Sequence, residues 1–543
     1  MKYKRSLLSL KSVTVAACLI FVATSAQAAT YYVSQSSGDD SSAGQSADKP
    51  WKTLKKASSV KCAPGDSILL KCGDTWDEEL HPQGEGTPRK PILISSYGQG
   101  KDKKKPVIDR QDYNKDLVGI RIDDQGGFKI VGIEFNRCMT GIYGEYTAKC
   151  PTKKFVWIED CYFHDSLKYG NYRTYPKPRN IGLGVCFFSY ERKNRIVLTD
   201  ITIKNCVFRR LASGVWTNSP DNFNKNASNI YNFGNMTFDS CLFEEGFQWQ
   251  MGLRGVDGGA VRNCVTHDIG RKFRSFNGVA GAMFFRCKNW TFDDSEWGFV
   301  SIGLGSGDGE AFDFEGNCDN MTMRNCLFHD TDGPGFLLCC YASDGHPNKN
   351  ILMENCVLNG KSKRPIGLPR CEIVNTTDWT VVTWKKTRFY ISKGSTLMRV
   401  MDPEKDKNSK FVDCHVKKLA NACSTAALKP KTKTTDPSGK IIQLDFAKPT
   451  TINEFKISEA KSSSIVRYII ECWDSKASKW VSCFNGREIK TDFMAPIVSR
   501  TTTKARIRIM QTSKGAPGLT KFEAYNDTTG AMPITPGGYL IRK

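Results

Sequence analysis

The chain has 543 residues, of which 40% are hydrophobic, and carries 78 Lys and Arg against 56 Asp and Glu, a formal net charge of +22. That length exceeds what one compact core usually holds unless the architecture is a repeat. The positive balance suits an anionic partner as well as a solubilising surface, and no zinc-finger spacing or nucleic-acid-binding motif accompanies it, so nucleic acid is not supported.

Residues 1–28 open with Lys2, Lys4, Arg5 and Lys11, run through an apolar stretch and end in Ala26-Gln27-Ala28. This reads as a secretory signal peptide, so a secreted product, extracellular or periplasmic, is expected. No later run of about 18 apolar residues follows, so no spanning helix is expected. Export makes disulfides permissible, and removing Cys18 with the leader leaves an even number of the 21 cysteines.

A repeat fills the middle of the chain. FVWIEDCYFHDS (155–166), DITIKNCVFRRL (200–211), NMTFDSCLFEEG (235–246), GAVRNCVTHDIG (259–270), NWTFDDSEWGFV (289–300), NMTMRNCLFHDT (320–331) and NILMENCVLNGK (350–361) share one pattern. The common position holds Cys161, Cys206, Cys241, Cys264, Ser295, Cys326 and Cys356, with final intervals of 31, 31 and 30 residues. Period-two alternation in short runs indicates strands with one buried face. About three strands per repeat then fit one coil of a parallel β-helix, each strand stacking about 4.8 Å from its equivalent. The repeated cysteines become an inward ladder of mostly free thiols, in line rather than in a metal-binding tetrahedron. Among the others, Cys62 with Cys72, Cys138 with Cys150, and Cys472 with Cys483 are local disulfide candidates.

The opening YYVSQSSGDDSSAGQSADKPWKTLKKA, with APGDSILLKCGDTW and GEGTPRKPILISSYGQGKDKKKPVID, resembles the first segment of right-handed parallel β-helix enzymes that act on polysaccharides. With the coils, the likeness covers residues 30–415 and is greatest to glycoside hydrolases of the family 141 type. Further on, IIQLDFAKPTTINEFKISE, VRYIIECWDSKASKWVSCF and ARIRIMQTSKGAPGLTKFEAY resemble the later strands of a discoidin-like (coagulation factor 5/8 type C) β-sandwich. The first third of that module, with its early Trp, is not apparent. The expected fold is therefore all-β: a right-handed parallel β-helix over 29–424, a linker or leading strand over 425–440, a small β-sandwich over 441–527 and a tail over 528–543. A monomer is expected.

The resemblance implies a polysaccharide substrate, and the strand before each Cys motif offers the groove for it. In GDGEAFDFEG, inward Phe312 and Phe314 turn Asp313 and Glu315 outward, about 7 Å apart along the strand. Aligning the Cys motifs adds Phe284 and Arg286 one coil earlier, then Gln248 and Gln250, Trp216 and Asn218, and Tyr143 and Glu145; Leu337 and Cys339 follow one coil later. Rings for pyranose faces, amides for hydroxyls and two acids for bond cleavage then share one face. With Phe284 disfavouring ionisation of Asp313 and Arg286 favouring it at Glu315, Asp313 is expected to be the general acid and Glu315 the base or nucleophile.

Asp308 and Glu310 precede the strand as groove residues; as clustered carboxylates they leave calcium open as a ligand, although the spacing lacks an EF-hand pattern and no cofactor is expected. Asp332 and Asp268 lie on loops that could lean over the groove. His164-Asp165, His267-Asp268 and His329-Asp330 read as one turn seen three times, with His267 the exception because Arg271 and Arg274 stand near it. The loop 166–180 interleaves Tyr169, Tyr172 and Tyr175 with Lys168, Arg173, Lys177 and Arg179, as a grip on an acidic or sulfated chain would. Nucleotide-binding glycine patterns are absent from the right context. Two alternatives stay open beside the hydrolase: a lyase in which a cation neutralises a uronate while Arg254, Arg286 or Lys288 removes the α-proton, and a binder without catalysis.

Overall fold

One coil of the computed structural model is laid down by Asp319–Arg324, Leu327–His329 and Phe336–Leu338. Met321 and Met323 are fully buried while Asn320, Thr322 and Arg324 face out, the alternation a half-buried strand requires. Asn325 then adopts φ +54° and swings the chain into the next strand, with Cys326 buried under the corner. The same left-handed conformation, which Asn and Asp tolerate best among non-glycine residues, recurs before each shared position: Asp160, Asn205, Ser240, Asn263, Asp294 and Asn355. That is the physical content of the Asn/Asp-Cys repeat.

The structure describes residues 27–98, 104–111, 117–166, 182–218, 230–270, 278–302, 309–339, 347–360, 371–375, 380–392, 396–400, 409–460, 464–489 and 492–534. Residues 1–26 of the leader, Asp308, Arg271, Arg274 and the basic and tyrosine side chains of the 166–180 loop lie outside the described residues.

Stacked coils pair in parallel to give, among the described residues, three long sheets. One runs from Thr30–Val33 to Ser409–Val412; a second from Thr75–Trp76 to His415–Lys418, closed by antiparallel Met532–Pro533; a third, of ten strands, from Val118–Arg121 to Thr396–Val400. Between them lies a continuous core in which equivalent residues stack as ladders: Phe135, Phe163, Phe208 and Phe243 lie face to face at 4.7 to 4.8 Å. Gly141, Gly184 and Gly214 on the third sheet admit these rings; a Cβ on Gly184 would stand 2.5 Å from the Phe208 ring and from the Gly214 carbonyl.

The shared cysteines form the expected inward ladder of buried free thiols, with Ser295 in the same column accepting from the Cys264 N–H at 3.1 Å. The local disulfides do not form: Cys62, Cys72, Cys138, Cys150, Cys472 and Cys483 are all free thiols. Cys138 is itself a corner residue, its thiol donating to the Ile108 carbonyl one coil back at 3.5 Å, so it points into the solenoid rather than toward Cys150.

After the solenoid, Thr432–Thr435, Ile441–Glu459, Ile465–Asp474, Lys479–Arg487, Phe493–Thr512 and Leu519–Tyr525 form an antiparallel β-structure. Its two longest strands, of 19 and 20 residues, carry register shifts where they bend. Its core is continuous with Leu327, Val357 and Tyr390 on the outer face of the second solenoid sheet. Around that apolar seam, solenoid acids meet sandwich cations: Glu244 with Arg467, Asp268 with Arg487, and Asp294 with Arg500 at 2.7 Å. Glu296 takes both the N–H and the side-chain amide of Asn485, each at 2.7 Å. Among the described residues no helix is long and apolar enough to cross a membrane.

Candidate active site

The outward face of the ten-stranded sheet is the surface on which acids, aromatics and cations converge. Its central column reads Arg121, Tyr143, Cys186, Trp216, Gly252, Met283, Asp313 and Leu337 by strand register. Trp216 therefore stands three coils from Asp313, about 14 Å at the usual strand spacing, and Tyr143 five coils away, about 24 Å. Tyr143 donates to Glu145 Oε2 at 2.5 Å and is stacked by Arg121.

Phe312 and Phe314 are fully buried in the core, so Asp313 and Glu315 do face the other way. Asp313 is nevertheless only 2% exposed on that outer face, while Glu315 is partly accessible. Burial drives the Asp313 carboxyl well above the ordinary range, and the Glu315 charge, a hydrogen bond between the two side chains, and Glu310 push the same way. Burial and a neighbouring carboxylate thus both favour the protonated form of Asp313. Glu310, at the head of the same strand and 1% exposed, completes an acidic cluster.

Opposite the acids is a cation in an aromatic box. The Arg254 guanidinium lies 5.1 Å from the Trp216 ring, 5.8 Å from Trp249 and 6.0 Å from Phe285. Burial lowers its pKa to about 10, with the Glu315 charge working the other way. Trp216 leans over Gly252, where a Cβ would meet the indole at 3.0 Å, and packs against Trp249 at 5.4 Å. Arg286 is 2% exposed, in a left-handed conformation at φ +50°, and stacks on Phe285 at 5.1 Å, its N–H bonded to the Gly316 carbonyl at 2.9 Å.

Several expected groove residues stand elsewhere. Phe284 pairs with Phe314, not Asp313, and is fully buried in the core; Met283 is the true neighbour of Asp313. A single extra residue separates this strand from the Cys motif of its coil: Phe285 pairs with Gly316, one residue later than even register, and Gly316 supplies the φ of +136° that accommodates it. Arg254 is a cation whose charge couples to Glu315, and burial is the largest cause that raises Asp313. Gln250 is fully buried, its amide donating to the Ala212 carbonyl at 3.1 Å, and Gln248 is 2% exposed, so neither amide is offered to a ligand.

His267 belongs to the second sheet, on the strand Val265–Ile269, and is 2% exposed beneath the sandwich. Burial depresses its pKa well below the usual range, helped by the charges of Arg467, His329 and Arg487. Asp268 beside it is taken up by Arg487. The His-Asp repeats are the structural turn they resemble: Asp165, Asp268 and Asp330 all have positive φ, and Asp165 and Asp330 bond the preceding His at 2.7 and 2.9 Å. Asp332 is half-buried in the turn leading to Phe336–Leu338 and accepts from Ser301 Oγ at 2.7 Å. Sequence reasoning missed Trp249 and Phe285. Trp249 lies in the loop before Met251–Arg254, where strand parity gives no guidance, whereas Phe285 could have been found from Gly316 as a bulge signal.

No protein-family model matches the chain. It is similar to lacto-N-biosidase from Bifidobacterium longum subsp. longum, with 44% identity over 89 residues, which is 16% of this chain and 6% of that protein. The chain thus matches only a small part of this curated relative. The crystal structure of a GH136 lacto-N-biosidase from Eubacterium ramulus superposes with a TM-score of 0.53 at 18% identity, over 71% of this chain and 67% of that one. That likeness is one of fold.

Proposed function

We propose that the protein is a secreted glycoside hydrolase that cleaves a glycan along the outward face of the ten-stranded sheet. The observation that carries the reading is Asp313, buried on the outward face with its carboxyl pushed up by burial, two residues from the more accessible Glu315 on the same strand. Both relatives bear the name of a glycan-cleaving enzyme of family 136 or its activity, so the coarse class, a glycoside hydrolase on a β-helix, is carried forward in place of the family 141 type.

In this mechanism Asp313 gives its proton to the glycosidic oxygen while Glu315 attacks the anomeric carbon. With Glu315 as the nucleophile the route is the retaining, two-step one. In the second step the Asp313 carboxylate takes a proton from water, which displaces Glu315 and restores both groups. Arg254 fixes the charge of the site in its aromatic box, and the half-buried Trp249, packed on Trp216, offers a face to a sugar ring. The +22 charge favours an anionic polymer. Incubation with neutral, uronic and sulfated glycans should release reducing ends from at least one class, and Asp313→Asn or Glu315→Gln should lower the rate by about 10²–10⁴-fold. Near-normal turnover by both variants would remove the pair from the chemistry.

One observation favours a lyase as the second reading: the buried Arg254, with its pKa lowered to about 10, is a candidate base. Unsaturated product absorbing in the ultraviolet, lost in Arg254→Gln, would select it.

A further inference from the structure

The sandwich carries a second surface that the catalytic reading does not use. On the side of its sheet turned away from the core, Trp473 pairs across strands with Trp480, their rings 5.5 Å apart at 71°. The next strand places Lys504, Arg506 and Arg508 beside them, and the strand after that Gln443 and Asp445. The residues between, Ile470, Cys472, Ala505 and Ile507, are buried, so the two faces are cleanly divided. Both indoles are partly exposed, Lys504 is exposed, and Met510 at 50% adds an apolar group further along the same strand.

This face is built rather than scattered. Glu471 binds Arg506 Nε at 2.6 Å and Arg508 at 3.1 and 3.2 Å, holding two guanidinium groups side by side on one carboxylate and leaving the trio net positive. Arg506 lies 4.1 Å from the Trp480 ring and Lys504 5.7 Å from Trp473, so cations and indoles share a single platform. Outward strand positions are ordinarily polar, and aligned aromatic groups among fixed donors mark a binding surface. Five strands in this row make a face about 19 Å across, enough for an extended oligomer.

We propose that the Trp473–Trp480 face binds an anionic glycan chain, its sugar rings stacking on the indoles and its carboxylate or sulfate groups meeting Lys504, Arg506 and Arg508. The site is separate from the carboxyl pair and holds whether or not Asp313 and Glu315 are the catalytic groups.

The test is affinity electrophoresis of the full chain, in a Glu315→Gln background so that the gel matrix is not consumed. Gels would contain polygalacturonate, dextran sulfate, neutral dextran or duplex DNA. Retardation is expected with one or both anionic polysaccharides, and the pair distinguishes carboxylate from sulfate recognition. Trp473→Ala and Trp480→Ala should each weaken it about tenfold or more, with Trp473→Phe retaining most of it. Should either alanine variant fail to fold, Lys504→Glu, on an exposed side chain, carries the same expectation. No retardation by either anionic glycan, equal retardation by dextran or by DNA, or unchanged retardation in folded Trp and Lys504 variants would each overturn the proposal. Turnover of the Glu315→Gln variant is read separately, so failure of the catalytic reading leaves this result interpretable.

Discussion

Asp313 is a buried acid on the outward face of the ten-stranded sheet, and the proposed mechanism makes it the proton donor. Its pKa is raised in the folded chain, so its contribution to stability is fully present below the ordinary value near 3.9 and is lost as pH rises through the folded value. Asp313→Asn should therefore raise the melting temperature at pH 7 to 8 even as it slows turnover, with the gain vanishing toward pH 4; thermal melts across that range check it. Replacing Arg254 with Gln removes the cation facing Glu315 and should slow turnover while leaving the aromatic box in place, seen as a fall in kcat larger than any rise in KM. At this scale parity was enough to turn Asp313 and Glu315 outward in the sequence, because the flanking phenylalanines declare the buried side. It could not place their neighbours, because the register between coils depends on how many residues are inserted before the Cys motif: Met283 pairs with Asp313 and Phe284 with Phe314, and only one extra residue, at Gly316, follows.

The coil is set by two local devices, a left-handed Asn or Asp and a small buried residue under the corner, and both recur in the sequence with a period that can be counted. Ser295 occupies the thiol column with its hydroxyl donating to the Asp293 carbonyl at 2.9 Å, so Cys326→Ser should fold with a denaturation midpoint close to that of the parent. Gly184→Ala, in contrast, drives a methyl group against Phe208 and the Gly214 carbonyl and should cost about 1–3 kcal/mol in denaturant unfolding. Alkylation of the denatured chain without reductant should modify at least the 18 cysteines that stand as free thiols among the described residues. Disulfides were misjudged from the sequence because spacing along the chain says nothing of the direction of Cβ: Cys138 looks local to Cys150, but the coil points it inward.

At the scale of the molecule the sandwich is part of the solenoid's packing. Leu327, Val357 and Tyr390 are buried within its core, so truncation after residue 424 should expose an apolar strip and yield a less stable, aggregating chain, measured by melting and light scattering. His329 sits in this seam, 4.4 Å from the Phe484 ring. Burial alone would lower its pKa, but hydrogen bonds to Asp330 and Glu296 raise it to about 9, so its stabilising contribution is complete below about pH 6.5 and lost as pH rises through 9. None of this contact was readable from the His-Asp motif, which repeats in the sequence whether or not a partner covers it. The most direct measurement of the central reading is azide rescue of Glu315→Ala on a glycan that the parent cleaves. The expected result is loss of hydrolysis and its recovery with azide, giving a glycosyl azide; full hydrolysis by Glu315→Ala without azide would contradict it.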